Sequence, residues 1–184
     1  MGKENKSRFA LLGILSLAPA SGYDIKKTVE YSVGNFWSEN YPQIYPMLKQ
    51  LEQEGLTHSS VEKQEGRPDK HIYTLTEAGW EALKAWLSEP FEYQRERNEL
   101  LLKLFFGYLN PTAISLEHVR RHRAMQEQLL AHYQSIEDEL RANDSESSHF
   151  SYWLITLSYG RHISRALLAW CDETLEILDK LQKS

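Results

Sequence analysis

The sequence predicts a mainly α-helical chain with one small β-hairpin, and three observations predict it. Apolar residues recur at helical spacing along most of the chain. One pair of strand-like runs, residues 56–64 and 70–75, flanks the turn-forming stretch Glu65-Gly66-Arg67-Pro68-Asp69. After Pro90 no strand signal returns. The chain therefore divides into a mixed part, residues 1–90, and an all-helical part, residues 91–184.

Taken in order, Ser7 is placed to cap a first helix running to residue 17, which Pro19-Ala20 breaks. Ser21-Gly22-Tyr23-Asp24 reads as a capping box, in which the Ser21 oxygen serves the Asp24 N–H and the Asp24 carboxylate returns the bond. The second helix extends to about Val33 and stops at Gly34. A third lies between residues 41 and 54, with Ile44, Met47, Leu48 and Leu51 at i, i+3, i+4, i+7. Pro42 and Pro46 have no N–H to donate, so both must precede the helix or sit in its first turn. That puts the helix start near Gln43. After the hairpin, Thr76 caps a fourth helix over residues 77–87. The second part reads as one helix over residues 96–109, a long helix after Asn110-Pro111 to about Ala142, a polar loop, and a last helix over residues 150–182. The last helix carries a stripe: Trp153, Leu157, Ile163, Leu167, Cys171, Leu175, Leu178 and Leu181.

Bulk properties exclude several classes. No apolar run is long enough to span a bilayer, and the charged opening MGKENKSRF argues against a secretory signal, so the expected location is cytoplasmic. The single cysteine, Cys171, cannot form an intrachain disulfide and sits in an apolar stripe, where an inert thiol is expected. No nucleophile elbow, phosphate loop or metal-protease motif is present, so neither an enzyme nor a cofactor is expected. His118 and His122 have metal-ligand spacing, but no carboxylate completes a motif and Arg120, Arg121 and Arg123 crowd them.

Three helices followed by a hairpin is the order of a winged helix–turn–helix, whose third helix enters the DNA major groove. With the apolar side of that helix inward, Gln43, Tyr45, Lys49 and Gln50 face outward. Glutamine can bond an adenine edge, lysine a guanine or phosphate, and tyrosine a phosphate. The wing adds Arg67 at its tip and Lys63 and Lys70 on its strands. The charge balance opposes this reading. The chain carries a net −5, and residues 1–90 hold ten Lys and Arg against twelve Asp and Glu. A DNA-binding part must then gather Lys26, Lys27, Lys49, Lys63, Arg67 and Lys70 on one face. The rival reading is a winged-helix protein-interaction module without sequence-specific DNA binding.

The residues also carry a resemblance. GYDIKKTVEYSVGNFWSENYPQIYPMLKQLEQEGL followed by EGRPDKHIYTLTEAGWEALKAWL resembles the PadR family of bacterial transcription regulators over residues 8–88. The shared words are Gly-Tyr-Asp-Ile, Phe-Trp-Ser-Glu, Gln-Ile-Tyr-Pro and Gly-Arg-Pro. The second part, with ELLLKLFFGYL leading into long helices, is similar to the C-terminal region of longer members and of virulence-activator regulators. The resemblance implies a homodimer that binds a palindromic operator in double-stranded DNA, usually as a repressor, and in many members releases it when a small molecule binds. It implies DNA contacts at Ser38, Tyr41, Gln43, Tyr45, Lys49, Arg67 and Lys70. Pro42 departs from the pattern, standing where many relatives have a small residue. Residues 91–184 are expected to dimerise. Tyr152, Trp153 and Trp170 are the candidate contacts for a small aromatic effector, against the alternative that the aromatic groups simply edge a dimer core.

Overall fold

The computed structural model describes residues 6–32, 34, 36–37, 43–63, 66, 69–93 and 97–183. The chain forms two compact units, Met1–Tyr93 and Gln94–Ser184.

In the first unit, helix α1 (Ser7–Leu15) is apolar on nearly every side, and Leu11 and Leu12 are fully buried. It is shorter than the sequence suggests. Lys6 occupies the cap position without a side-chain bond and Ser7 is already helical. Strand β1 (Ala20–Ser21) leads directly into α2 (Gly22–Tyr31). The capping box at Ser21 and Asp24 forms as its sequence predicts, with both reciprocal bonds present. Helix α3 (Ile44–Gln53) buries Ile44, Met47, Leu48 and Leu51 against α1 and α2. Gly55 follows with φ of 73°, the left-handed conformation that ends the helix and turns the chain into the sheet.

Strands β2 (Thr57–Glu62) and β3 (Lys70–Leu75) pair antiparallel from Thr57↔Leu75 to Glu62↔Lys70. The sheet has three strands in the order β1-β3-β2, because Ala20 and Ser21 pair with Tyr73 and Ile72. Two residues are too few to show a strand period, which hides β1 in the sequence. Helix α4 (Glu77–Leu87) starts at Thr76, whose hydroxyl oxygen accepts the Gly79 N–H at 3.1 Å and whose hydroxyl donates to the Gly55 carbonyl at 2.7 Å. Trp86 of α4 stacks on Phe9 of α1 with ring centroids 4.6 Å apart, closing the core over Leu83. Three helices, a two-stranded wing and a closing helix make this unit a winged helix–turn–helix.

The second unit is helical throughout its described residues. The predicted helix over residues 96–109 is shorter. Helix α5 (Glu99–Phe105) begins where the Asn98 side chain accepts the Leu101 N–H at 3.0 Å, and a 3-10 turn, Gly107–Leu109, replaces its last part. Gly107 lies against the Ser115 hydroxyl, where a Cβ would stand only 2.9 Å away, so the chain bends there. Helices α6 (Thr112–Asn143) and α7 (Phe150–Gln182) form an antiparallel pair. The direction follows from the ties Arg120–Asp179, Arg123–Asp172 and Arg161–Glu137, in which one number rises as the other falls. Glu137 is nearly enclosed and accepts Arg141 at 3.0 and 2.7 Å as well as Arg161 of α7. Of the predicted α7 stripe, Leu157 and Cys171 are buried, whereas Ile163 and Leu181 are exposed. Burial raises the Cys171 thiol above its usual range and so keeps it protonated. No helix among the described residues is long and apolar enough to cross a membrane.

Candidate nucleic-acid interface

The interface is built on α3, and the order of its residues explains its geometry. Gln43 occupies the cap position with helical backbone angles, and its side chain makes no capping bond. The residue is exposed at the helix start, and its amide has no hydrogen-bond partner among the described residues. Pro46 is the third helical residue, where an N–H would have no intrahelical acceptor, so the ring costs the helix nothing. Tyr45 and Lys49 stand one turn apart on the exposed side. Tyr45 is 58% exposed, yet one face of its ring lies on Gly22. A Cβ at Gly22 would meet Tyr45 Cε1 at 2.5 Å, so the glycine that opens α2 leaves room for the tyrosine that opens α3.

The other end of α3 is tied to the wing. Glu52 accepts the Ser59 N–H at 2.9 Å and the Ser59 hydroxyl at 2.5 Å. The Ser59 hydroxyl bond is the main reason its carboxyl is held below the usual range, with His58 and His71 of the wing strands adding attraction. Glu54 pairs with Arg8 of α1 and accepts Gln50 at 2.8 Å, which engages one of the outward groups the sequence points to. The Gln50 bond is the largest cause of the lowering of the Glu54 carboxyl. Tyr73 of β3 is pushed up by burial and by the nearby Glu52 and Tyr45, so it stays a neutral donor. Helix α3 is thus fixed on three sides by α1, α2 and β2, with one side left open.

Of the predicted DNA contacts, Gln43, Tyr45 and Lys49 are exposed on α3, with Tyr45 and Lys49 one turn apart and Gln43 at the helix start. Ser38, Tyr41 and Arg67, with Pro42, lie outside the described residues. Lys70 opens β3 at the tip end of the wing strands, opposite Glu62, and its ammonium is 2.9 Å from the Asp24 carboxylate. The charge conflict in the sequence is partly answered by pairing. Lys6 with Glu92, Arg8 with Glu54, Lys26 with Glu30, Lys70 with Asp24 and Lys84 with Glu81 are all matched. Lys27 lies over the Tyr23 ring at 5.1 Å, while Lys49 and Lys63 pair with no carboxylate among the described residues. The gathering of six cations on one face is therefore reduced, since Lys26 and Lys70 are internally satisfied. The sequence does not reveal the roles of Gly22 and Glu52. Their partners are distant in the chain, although Gly22 does stand in the GYDI word.

The three aromatic residues predicted for an effector are not brought together. Tyr152 is exposed, Trp153 lies on His149 with centroids 4.0 Å apart, and Trp170 meets the edge of His122 at 6.2 Å. Trp153 and Trp170 are on one helix, about 25 Å apart at ~1.5 Å per residue. A groove of about 340 Å³ lies elsewhere in this unit, lined by Leu102, Phe106, Ile114 and His118. Among the described residues no three His, Cys, Asp or Glu side chains could hold a metal.

A winged helix–turn–helix with an open third helix, followed by a long helical hairpin, defines a transcription-regulator architecture. Residues 11–85 match the transcriptional regulator PadR-like family, and residues 96–179 match the virulence activator alpha C-terminal family. This chain belongs to the PadR-like family of transcriptional regulators. It is 27% identical over 179 residues to the negative transcriptional regulator PadR of Bacillus subtilis, covering 94% of this chain and 97% of that one. The crystal structure of B. subtilis PadR in complex with operator DNA superposes with a TM-score of 0.81 at 26% identity, covering 94% and 98%. The structure of B. subtilis PadR with p-coumaric acid gives a TM-score of 0.74 at 28% identity, covering 94% and 98%.

Proposed function

We propose that this protein is a homodimeric DNA-binding repressor that recognises a palindromic operator and releases it when a small aromatic molecule binds. Residues 1–90 bind DNA and residues 91–184 dimerise and sense the effector. The observation that carries the reading is the open side of α3, with Gln43, Tyr45 and Lys49 exposed on a helix whose opposite side is locked. The likeness to a regulator solved with operator DNA supports it. The protein acts in the cytoplasm and by binding, not by catalysis. Arg67, Ser38 and Tyr41 are further proposed contacts by sequence position and lie outside the described residues.

In this reading two copies of α3 enter successive major grooves roughly 34 Å apart. Gln43 reaches a base edge. Gln43→Ala is expected to cost about 1–3 kcal/mol on the selected operator and to relax base preference at one position per half-site. A titration against the operator and its single-base variants measures this. Equal loss on every variant would remove Gln43 from base reading.

The likeness to a regulator solved with p-coumaric acid supports the effector, and the Tyr152–Trp153 end of α7 is its proposed contact. Trp153→Ala is expected to raise the p-coumaric acid concentration needed for operator release at least about tenfold, with ligand-free DNA affinity unchanged. An unaltered release curve would place the effector elsewhere.

The interaction-module reading is favoured by one observation, that five of the eight described cations of the winged unit are already paired with carboxylates. It predicts no enrichment of any DNA sequence.

A further inference from the structure

The Asp24 carboxylate does more than cap a helix. Its Oδ2 accepts the Ser21 N–H at 3.2 Å and the Ser21 hydroxyl at 2.7 Å, and lies 2.9 Å from the Lys70 ammonium. Ser21 is itself joined to β3 through its pairing with Ile72. The acid, in the first turn of α2, is therefore held by a cap residue that pairs with β3, the strand that carries Lys70. Glu62 stands opposite Lys70 across the ladder, so a second acid adds to the field on the same cation. Lys70 keeps Asp24 ionised, the Lys70 bond being the largest cause of its lowered carboxyl, and Asp24 keeps Lys70 protonated.

A cation strengthens sequence-independent DNA binding by displacing counterions from the phosphates, and each such contact steepens the salt dependence. A cation with a carboxylate at 2.9 Å adds no net charge to that exchange. Lys49 and Lys63 differ, having no such acid among the described residues. Resting on the reading of this unit as DNA-binding, we propose that Asp24 limits the sequence-independent DNA affinity of the winged unit and the steepness of its salt dependence. By holding Lys70 in a neutral pair, it keeps the tip end of the wing strands from adding to sequence-independent attraction. Base reading by α3 is left untouched, so affinity for operator and for random sequence falls by the same factor, and both depend less steeply on salt.

The test compares the full-length wild type with Asp24→Asn and with Asp24→Asn/Lys70→Met. Asparagine retains an oxygen for the Ser21 N–H, and melting curves establish that both variants fold. Affinity is measured as a function of salt on the selected operator and on a scrambled duplex of equal length. Asp24→Asn is expected to bind the scrambled duplex more tightly and to steepen log affinity against log salt by about 0.9 per protomer, about two for a dimer. The double variant, in which a neutral pair replaces a neutral pair, is expected to return to the wild-type slope. A folded Asp24→Asn protein with the wild-type slope overturns the proposal. So does a double variant with a flatter slope than wild type, because Lys70 would then already contact phosphate. A wild type that binds no duplex at any salt defeats the DNA-binding reading itself, a result distinct from either.

Discussion

Deleting residues 149–184 is expected to leave a monomeric or insoluble protein that has lost operator binding. Helix α7 supplies the covering for α6, through Leu157, Ser164 and Cys171 on its buried side. The helical unit already exposes more apolar surface than a self-sufficient unit should. Phe105 is 75% exposed, Leu102 60%, Ile155 66% and Tyr159 65%. In the proposed dimer these apolar side chains are the association face. Without it the two recognition helices are no longer linked, and the loss of bivalency alone lowers operator affinity by at least about a hundredfold. Sedimentation and a DNA titration measure both effects. A truncated protein that remains dimeric with full affinity would place the dimer contact outside α7.

The second large effect is local. Gly79 of α4 lies so close to the Leu56 backbone that a Cβ would stand 2.1 Å from the carbonyl oxygen. That carbonyl also accepts the Thr76 N–H at 3.1 Å, so it cannot simply turn away. Gly79→Ala must push α4 off the start of the wing, at a cost of about 3 kcal/mol. The winged unit is expected to melt more than about 10 °C earlier, with DNA binding lost in step. Gly13 of α1 makes the opposite case, since a Cβ there meets nothing within 4 Å. Gly13→Ala should stabilise by about 0.5–1 kcal/mol, so the pair of melting curves separates crowding from helix propensity. Equal shifts in both would refute the close approach at Gly79.

What was legible in the sequence follows from the range of the interactions. Helix α3 was readable because its four apolar residues fall on one side within three turns, and two prolines limit where it can begin. The Ser21–Asp24 box and the Thr76 cap were readable because the cap oxygen and the N–H that donates to it are three residues apart. Strand β1 was not, because two residues show no period. The extent of α5 was misjudged because ELLLKLFFGYL is apolar throughout, and neither the Asn98 cap nor the bend at Gly107 interrupts that run. The site divides in the same way. Outward Gln43, Tyr45 and Lys49 follow from helical geometry alone. The Asp24–Lys70 pair, the Gly22–Tyr45 contact and the Glu52–Ser59 bonds depend on tertiary structure. The effector residues were grouped by composition, and helix length separates two of them by about 25 Å.

The central claim is that α3 reads DNA sequence as part of a two-fold pair. The most direct measurement is retention of random DNA fragments by the full-length protein, followed by sequencing of what is bound. Enrichment is expected of a palindrome whose half-sites lie about one helical turn, 10–10.5 base pairs, apart, or a multiple of it. Gln43→Ala is expected to lose preference at one position in each half. Retained fragments with no shared sequence, or no retention at physiological salt, would contradict it and leave the open side of α3 to a protein partner.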